Sequence, residues 1–324
     1  MAPRATQEPT EPISEHYPLE DKSDRKRHIY WTRVIFYALL HILALYGLLF
    51  VSWRCSWYTL LFAFVLGWLS NLSITAGAHR LWSHRAYNAR LPLRIFLAVV
   101  GALAVQESIY DWSRSHRAHH KYTDTDADPH NAKRGFFFCH IGWLMVEAHP
   151  EVPEKKDQLD SSDLLADPVV HYQHKYYNIL VLLVGVVMPT FLPVFLWGES
   201  AWYAFLTAGI IRLVLTYNIT FSVNSVAHFW GHHPYDDRID PAQNFLVSFF
   251  ALGEGWHNYH HVFPFDYRTS EFPWKINPTT QFIDLMNFFG LAYDLKSVPK
   301  EVIKARAQKT GDGSIHTRNE DKDQ

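Results

Sequence analysis

Four stretches of the chain stay apolar for longer than a soluble core helix does: Val34 to Trp53 (VIFYALLHILALYGLLFVSW), Trp57 to Ala78, Ile179 to Trp197 and Ala201 to Val223. Each is long enough, at the rise of an α-helix, to cross a hydrocarbon core of about 30 Å. Buried helices of a large soluble core are the alternative, but those seldom remain apolar on every face for about five turns. The links after the first and third runs are only a few residues long, so the runs pair into two tight hairpins. Hydrophobic residues make up 48% of the 324-residue chain, which supports the same reading. Arg212 interrupts the fourth run and counts against it, unless it faces a bundle interior or a polar cavity, as charged residues in spans usually do.

Basic residues set the expected orientation. Lys22, Arg25, Lys26, Arg27 and Arg33 precede or open the first run, and others crowd the long stretch between runs two and three, whereas Gly198 to Ser200 has none. Both termini and the central region are therefore expected on the cytosolic side. The expected fold is an all-α integral membrane protein: four transmembrane helices in two hairpins, with a cytosolic helical cap from residues 79–178 and 224–310. Residues 1–29 read as a disordered cytosolic lead-in without a cleavable signal, and 311–324 as a polar tail. Cys55 and Cys139 cannot make a disulfide framework, which suits a reducing face. A net charge of −2 with no basic stripe gives no support to nucleic-acid binding.

Twenty histidines are the second constraint. HRLWSH supplies His79 and His84; SHRAHHK supplies His116, His119 and His120; NSVAH supplies Asn224 and His228; GEGWHNYHH supplies His257, His260 and His261. Two boxes share the spacing H-x-x-H-H, which places side chains on one helix face. His79 follows directly on the second run and His228 lies just beyond the fourth, while the two H-x-x-H-H boxes lie in the central and C-terminal regions expected on the cytosolic side, so all nine can meet on one side of the membrane. The other eleven, His16, His28, His41, His130, His140, His149, His171, His174, His232, His233 and His316, follow no shared pattern and read as surface or packing residues, with His232 and His233 close enough to His228 to support it. Imidazole suits iron, zinc, copper and nickel. One zinc takes only three or four protein ligands, so nine histidines fit two metals better, with four or five nitrogens each and a position left open. A pair of irons is the expected content. Asn224 offers no anionic ligand and is expected to act through a metal-bound water.

At these residues the sequence resembles the membrane fatty acyl-CoA desaturases, in particular the animal stearoyl-CoA (Δ9) type. The resemblance runs over roughly residues 30–315 and is carried by ITAGAHRLWSHRAY, HRAHHKYTDTDADPHNAKRGFFFCHIGWL, VNSVAHFWGHHPYD, GEGWHNYHHVFPFDYRTSEF and KTGDGS. The wording around Trp256 is similar to invertebrate, insect-like members. The resemblance implies a histidine-ligated di-iron site beside a narrow, kinked acyl tunnel, and an oxygen-dependent reaction in the endoplasmic reticulum membrane that leaves a cis double bond. An unactivated methylene is not acidic, so a metal and O2 must do what no side-chain base can. Neither an H-P-G-G haem motif nor a strand followed by G-x-G-x-x-G occurs, and the resemblance implies electrons from a separate cytochrome b5 and its NADH-dependent reductase.

Gln106, Trp112 and Trp143 match positions that line the family's tunnel near its bend, and Gly67 and Asn71 match those that set chain length. Arg114 and Arg33 fall at the polar entrance. There the chain departs from the family: Glu107 replaces an asparagine, Ser115 an aspartate, and Glu147 and Ala148 a basic pair that would attract the phosphates of coenzyme A. A fatty acyl-CoA is the expected substrate. A different regiochemistry such as Δ12, a lipid-linked acyl group, and a di-iron lipid hydroxylase are the enzymatic alternatives. A non-catalytic metal-binding membrane protein is a more distant one, because transporters bury their ligands near the bilayer midplane and these boxes lie outside the runs.

Overall fold

A computed structural model describes residues 27–271 and 277–315. Nearly all of the expected lead-in, residues 316–324 of the tail, and His16 and His316 lie outside the described residues. The four apolar runs form helices over Trp31–Arg54, Trp57–Ser83, Tyr177–Trp197 and Ala201–Phe229, called spans one to four below. Spans two and four continue past the apolar stretch as helix, which carries His79 and His228 into the cap on rigid supports.

The two hairpin tips meet at the end away from the cap. Gly198 has φ +70°, a left-handed conformation that glycine adopts readily and that closes span three. The next residue, Glu199, accepts hydrogen bonds through Oε2 from the Ser56 amide (2.9 Å) and the Thr59 hydroxyl (2.6 Å), so one carboxylate joins both tips. Ser56 caps span two, accepting from the Tyr58 amide.

Arg212 is buried in span four and its guanidinium is spent on oxygens rather than on an acid. It donates to the Ala208 carbonyl (2.7 Å), the Ser70 hydroxyl (3.0 Å), the Leu103 carbonyl (2.7 Å) and the Gly185 carbonyl (3.4 Å). These acceptors belong to spans two, three and four and to the connector that follows helix Leu91–Gly101. An interior charge is thus tolerated because it faces the bundle and ties its elements together.

Among the described residues the cap is helical, with one short antiparallel pair, Asn88–Ala89 against Ala292–Tyr293, in the register Asn88↔Tyr293 and Ala89↔Ala292. That pair fastens the segment after span two to the C-terminal part. The core beneath it packs Leu72, Trp82, Tyr87, Leu97 and Ile283. Arg80, completely buried, donates to Glu254, the Tyr267 carbonyl, Thr280 and Asn277, and so locks the end of span two onto the start of GEGWHNYHH and onto the segments that follow it.

Candidate metal centre

The end of span two, Ser73–Ser83, is wound more loosely than an α-helix, with i→i+5 bonds such as the His84 amide to the His79 carbonyl (3.1 Å). On an α-helix, residues five apart point about 140° apart. The looser winding brings them towards one side, and the rings of His79 and His84 lie 4.9 Å apart. The third box enters through a loop that only glycine can form: Gly253 has φ +111°, and a Cβ on Gly255 would run into the Ser248 amide and the Asn244 carbonyl.

Nine histidines converge as two groups. His79, His84, His116, His120 and His260 form one, and His119, His228, His257 and His261 the other; within each group the nitrogens lie within 4.8 Å of one another. Each H-x-x-H-H box is divided. Helix Ile109–Tyr122 gives His116 and His120 to the first group and His119 to the second, while helix His257–Val262 gives His257 and His261 to the second and His260 to the first. The two boxes are complementary: what one supplies as an i, i+4 pair, the other supplies singly.

The nitrogen spacing fits cations. Nε2 of His260 lies 2.8 Å from that of His79 and 2.9 Å from that of His120, and His84 and His116 approach to 2.8 Å. In the second group His257 lies 3.1 Å from both His228 and His261. Two nitrogens bound at right angles to one ion at about 2.1 Å would be about 3 Å apart. Burial, then repulsion among the rings, holds His84, His116, His120, His257, His260 and His261 well below the usual histidine range, which leaves neutral imidazoles with lone pairs to offer.

Carboxylates orient several rings from behind. Asp128 lies 2.9 Å from Nδ1 of His119, Asp124 lies 3.2 Å from Nδ1 of His228, and Glu254 lies 3.0 Å from Nδ1 of His79. A partner on Nδ1 fixes the tautomer and turns Nε2 inward. Burial pulls against the charge on His119, but Asp128 outweighs it and raises that imidazole. Burial likewise opposes ionised Glu254, and Arg80 and His79 together hold it below the usual carboxylate range.

Two pockets adjoin the histidine groups. The first, called the outer lobe, is lined by Tyr37, Gln106, Glu107, Trp143 and Tyr217, and the second, the inner lobe, by Asn71, Ile74, Thr75, Ile219 and Val223; both touch Trp112, His116, Thr220 and Asn224. The place where the two lobes share these residues, called the corner below, therefore lies against a candidate metal ligand, with Asn224 beside it. Desolvation, then Asp111, pushes the Glu107 carboxyl up. The remaining sequence candidates lie off this wall. Gly67 faces the Arg212 side chain, whose Cγ would be 3.6 Å from an added Cβ. Arg114 is bound to Asp157 (2.7 Å) and lies over the Tyr110 ring, and Arg33 donates to the Leu144 carbonyl (3.3 Å) at the rim.

Sequence reasoning passed over Asp124, Asp128, Glu254, Tyr217 and Thr220, and grouped His130 with packing residues. His130 is buried beside the site, 3.4 Å from Asp128 and ring to ring with His119 at 4.7 Å. The alternating acids of TDTDADPH, directly after a histidine box, and the glutamate of GEGWH were the available signals. His232 is exposed, and His233 bonds to the Asp240 carbonyl.

Four spans, nine convergent histidines and two adjoining, mostly apolar lobes define a class of membrane enzyme, and the chain belongs to the fatty acid desaturase family, whose model matches residues 55–278. It is 54% identical over 289 residues to stearoyl-CoA desaturase 5 of Bos taurus, covering 89% of this chain and 86% of that protein. It is also 56% identical over 288 residues to an acyl-CoA desaturase of Cyprinus carpio, covering 88% of each, and 51% identical over 284 residues to stearoyl-CoA desaturase of Sus scrofa, covering 88% of this chain and 79% of that one.

Proposed function

We propose that the chain is an oxygen-dependent acyl-CoA desaturase that places a cis double bond at Δ9 of a saturated acyl chain. The observation that carries this is the corner against His116, where two mostly apolar lobes adjoin two groups of convergent imidazoles. The nine histidines would hold two iron ions, with Asn224 reaching one through a water. Bound there, the irons supply the oxidising power that takes two hydrogens from adjacent methylenes, with O2, two electrons and two protons consumed and two waters released. The protein's own part is positioning. Gln106, Trp112 and Trp143 hold the chain at the bend, Asn71 meets its far end, and Arg33 and Arg114 stand at the entrance, so that one methylene pair out of many alike faces the centre.

Electrons are supplied by cytochrome b5 and its NADH-dependent reductase, and the enzyme resides in the endoplasmic reticulum membrane with both termini and the cap cytosolic. The strong family relationship and the four spans support this setting. A second reading has its own observation: Glu107 lines the outer lobe while Arg114 is already paired with Asp157, which favours a less anionic head group than coenzyme A, such as a lipid-linked acyl chain. Expression in cells lacking their own Δ9 desaturase, with double bonds mapped by mass spectrometry, tests the proposal. New Δ9 monoenes are expected, and their absence, with the protein present in the membrane, overturns it. Competition by acyl-CoA against lipid-linked acyl chains in isolated membranes separates the head groups.

A further inference from the structure

The connector between helix Leu91–Gly101 and helix Ile109–Tyr122 contains two residues in left-handed backbone, Val105 (φ +53°) and Glu107 (φ +69°), on either side of Gln106. For a β-branched valine this region is an outlier, and such residues persist only where their surroundings over-determine them. Here the surroundings come from spans three and four. The Val105 side chain sits against Gly185, where an added Cβ would be 3.3 Å from its Cγ2. Arg212 holds the Leu103 carbonyl (2.7 Å), the Tyr217 hydroxyl donates to the Val105 carbonyl (2.8 Å), and the Gln106 amide donates to Thr220 (3.0 Å). Three side chains of span four thus fix three successive points of one short loop.

Tyr217 is the member of this set that acts on the strained residue itself. Its ring also forms part of the outer lobe, edge-on to Tyr37 at 6.1 Å and stacked on Phe221 at 5.6 Å. Val105, Gln106 and Glu107 all line that lobe too. Any shift of the Val105 peptide moves the wall of the outer lobe beside the corner.

We infer that Tyr217 is a positioning residue that sets the regiochemistry of the reaction: by clamping the Val105 carbonyl it fixes the length of the outer lobe, and with it which methylene pair stops at the corner. This rests on the acyl desaturase reading above and deepens it. A structural role alone would change how much product forms; a positioning role changes where the double bond lies.

The test is Tyr217→Phe, which keeps the ring and removes the hydroxyl, compared with the wild-type chain in desaturase-deficient cells. Membrane protein is quantified, and every monoene isomer is mapped. The wild-type chain is the control for the underlying activity: if it makes no monoene, the desaturase reading fails before Tyr217 is tested. Given a single wild-type isomer, Tyr217→Phe is expected to raise isomers displaced by one or two carbons to about a tenth of the monoenes or more, because sub-ångström misplacement is enough to exchange chemically equal methylenes. Total turnover should fall by less than about threefold. Isomer purity equal to wild type, with or without lost turnover, overturns the inference. Val105→Gly loosens the same peptide from the other side, by removing the methyl groups seated on Gly185, and should produce the same displaced isomers. If Tyr217→Phe does not accumulate, an unchanged isomer pattern in Val105→Gly overturns the inference on its own.

Discussion

Spans one and three differ from spans two and four in what they cover. Over their most apolar windows the first pair is 22% buried each, whereas span two is 50% and span four 67% buried. The inner pair is also longer, 27 and 29 residues against 24 and 21, and the extra turns are the ones that carry histidines into the cap. Buried and half-buried polar residues are concentrated on the inner pair, where Ser70, Asn71, Thr75, Arg212, Thr216 and Thr220 sit, against such residues as Thr190 and His41 on the outer pair; Arg212 reaches the backbone of span three and the cap connector. Lipid is as apolar as leucine, so an outer span gains little from specific contacts, while an inner span has to satisfy every polar group within protein. The outer spans supply insertion and insulation. The inner spans supply geometry.

The comparison breaks most decisively at the ends of the inner elements. His120→Ala removes a nitrogen from the five-membered group and His261→Ala one from the four-membered group, and each should lower turnover by more than about 100-fold and reduce bound iron while the protein stays in the membrane. Metal analysis and product mapping on the same membranes check it; normal turnover in either variant would defeat the two-group assignment. Next come losses inside span four. Arg212→Met removes the donors to carbonyls on two other elements, and Phe221→Ala empties a site that is 4% exposed. Each should cost about 3 kcal/mol in detergent unfolding.

The sequence made the spans and the ligands legible for different reasons. Long apolar runs announce themselves because hydrocarbon tolerates no unpaired backbone, and histidine boxes because few structures need so many imidazoles at fixed spacing. The division of the boxes was not legible. H-x-x-H-H says that three rings share a face, but which of them turns to which metal depends on two helices approaching from different directions, and His79 pairs with His84 only because the end of span two is loosely wound. The carboxylates behind the rings were hidden for a similar reason: Glu254 reaches His79 from 175 positions further along the chain, and nothing in GEGWH names its target. Gly67 and Asn71 look equivalent as a one-turn pair, yet Asn71 faces the cavity and Gly67 faces Arg212, a distinction made by the packing of span four.

A smaller effect is expected where span four passes into the surface of the cap. Asp236 is paired with Arg238 (2.7 Å) and with Arg306 of helix Lys300–Thr310. Burial opposes its charge, but Arg238 and then Arg306 prevail and hold its carboxyl below the usual range. A carboxyl depressed on folding stabilises the protein above its unfolded pKa of about 3.9, and that contribution is lost as pH falls through the lower folded value. Both arginines are substantially exposed, so screening limits the contribution to about 1 kcal/mol at pH 7. Asp236→Asn should therefore speed hydrogen exchange in helix Lys300–Thr310 severalfold at pH 7. Its difference from the unsubstituted chain should shrink as pH drops below about 4; a difference that grows there would mean the pair is not what holds this helix.

The smallest effect tests the other half of the comparison. Phe195 in span three is 81% exposed, and if that face meets only lipid tails, Phe195→Ala exchanges protein–lipid contact for lipid–lipid contact. Nothing inside the bundle is left unfilled, because among the described residues no helix packs over the ring. Unfolding should change by less than about 0.5 kcal/mol and turnover by less than twofold, against the large loss expected for the same truncation at Phe221. The two variants remove the same atoms from helices in one bundle, so the ratio of their effects measures how far the inner and outer spans differ. Comparable losses would mean that the outer face of span three is also a packed surface and that its exposure here is filled by another protein chain in the membrane.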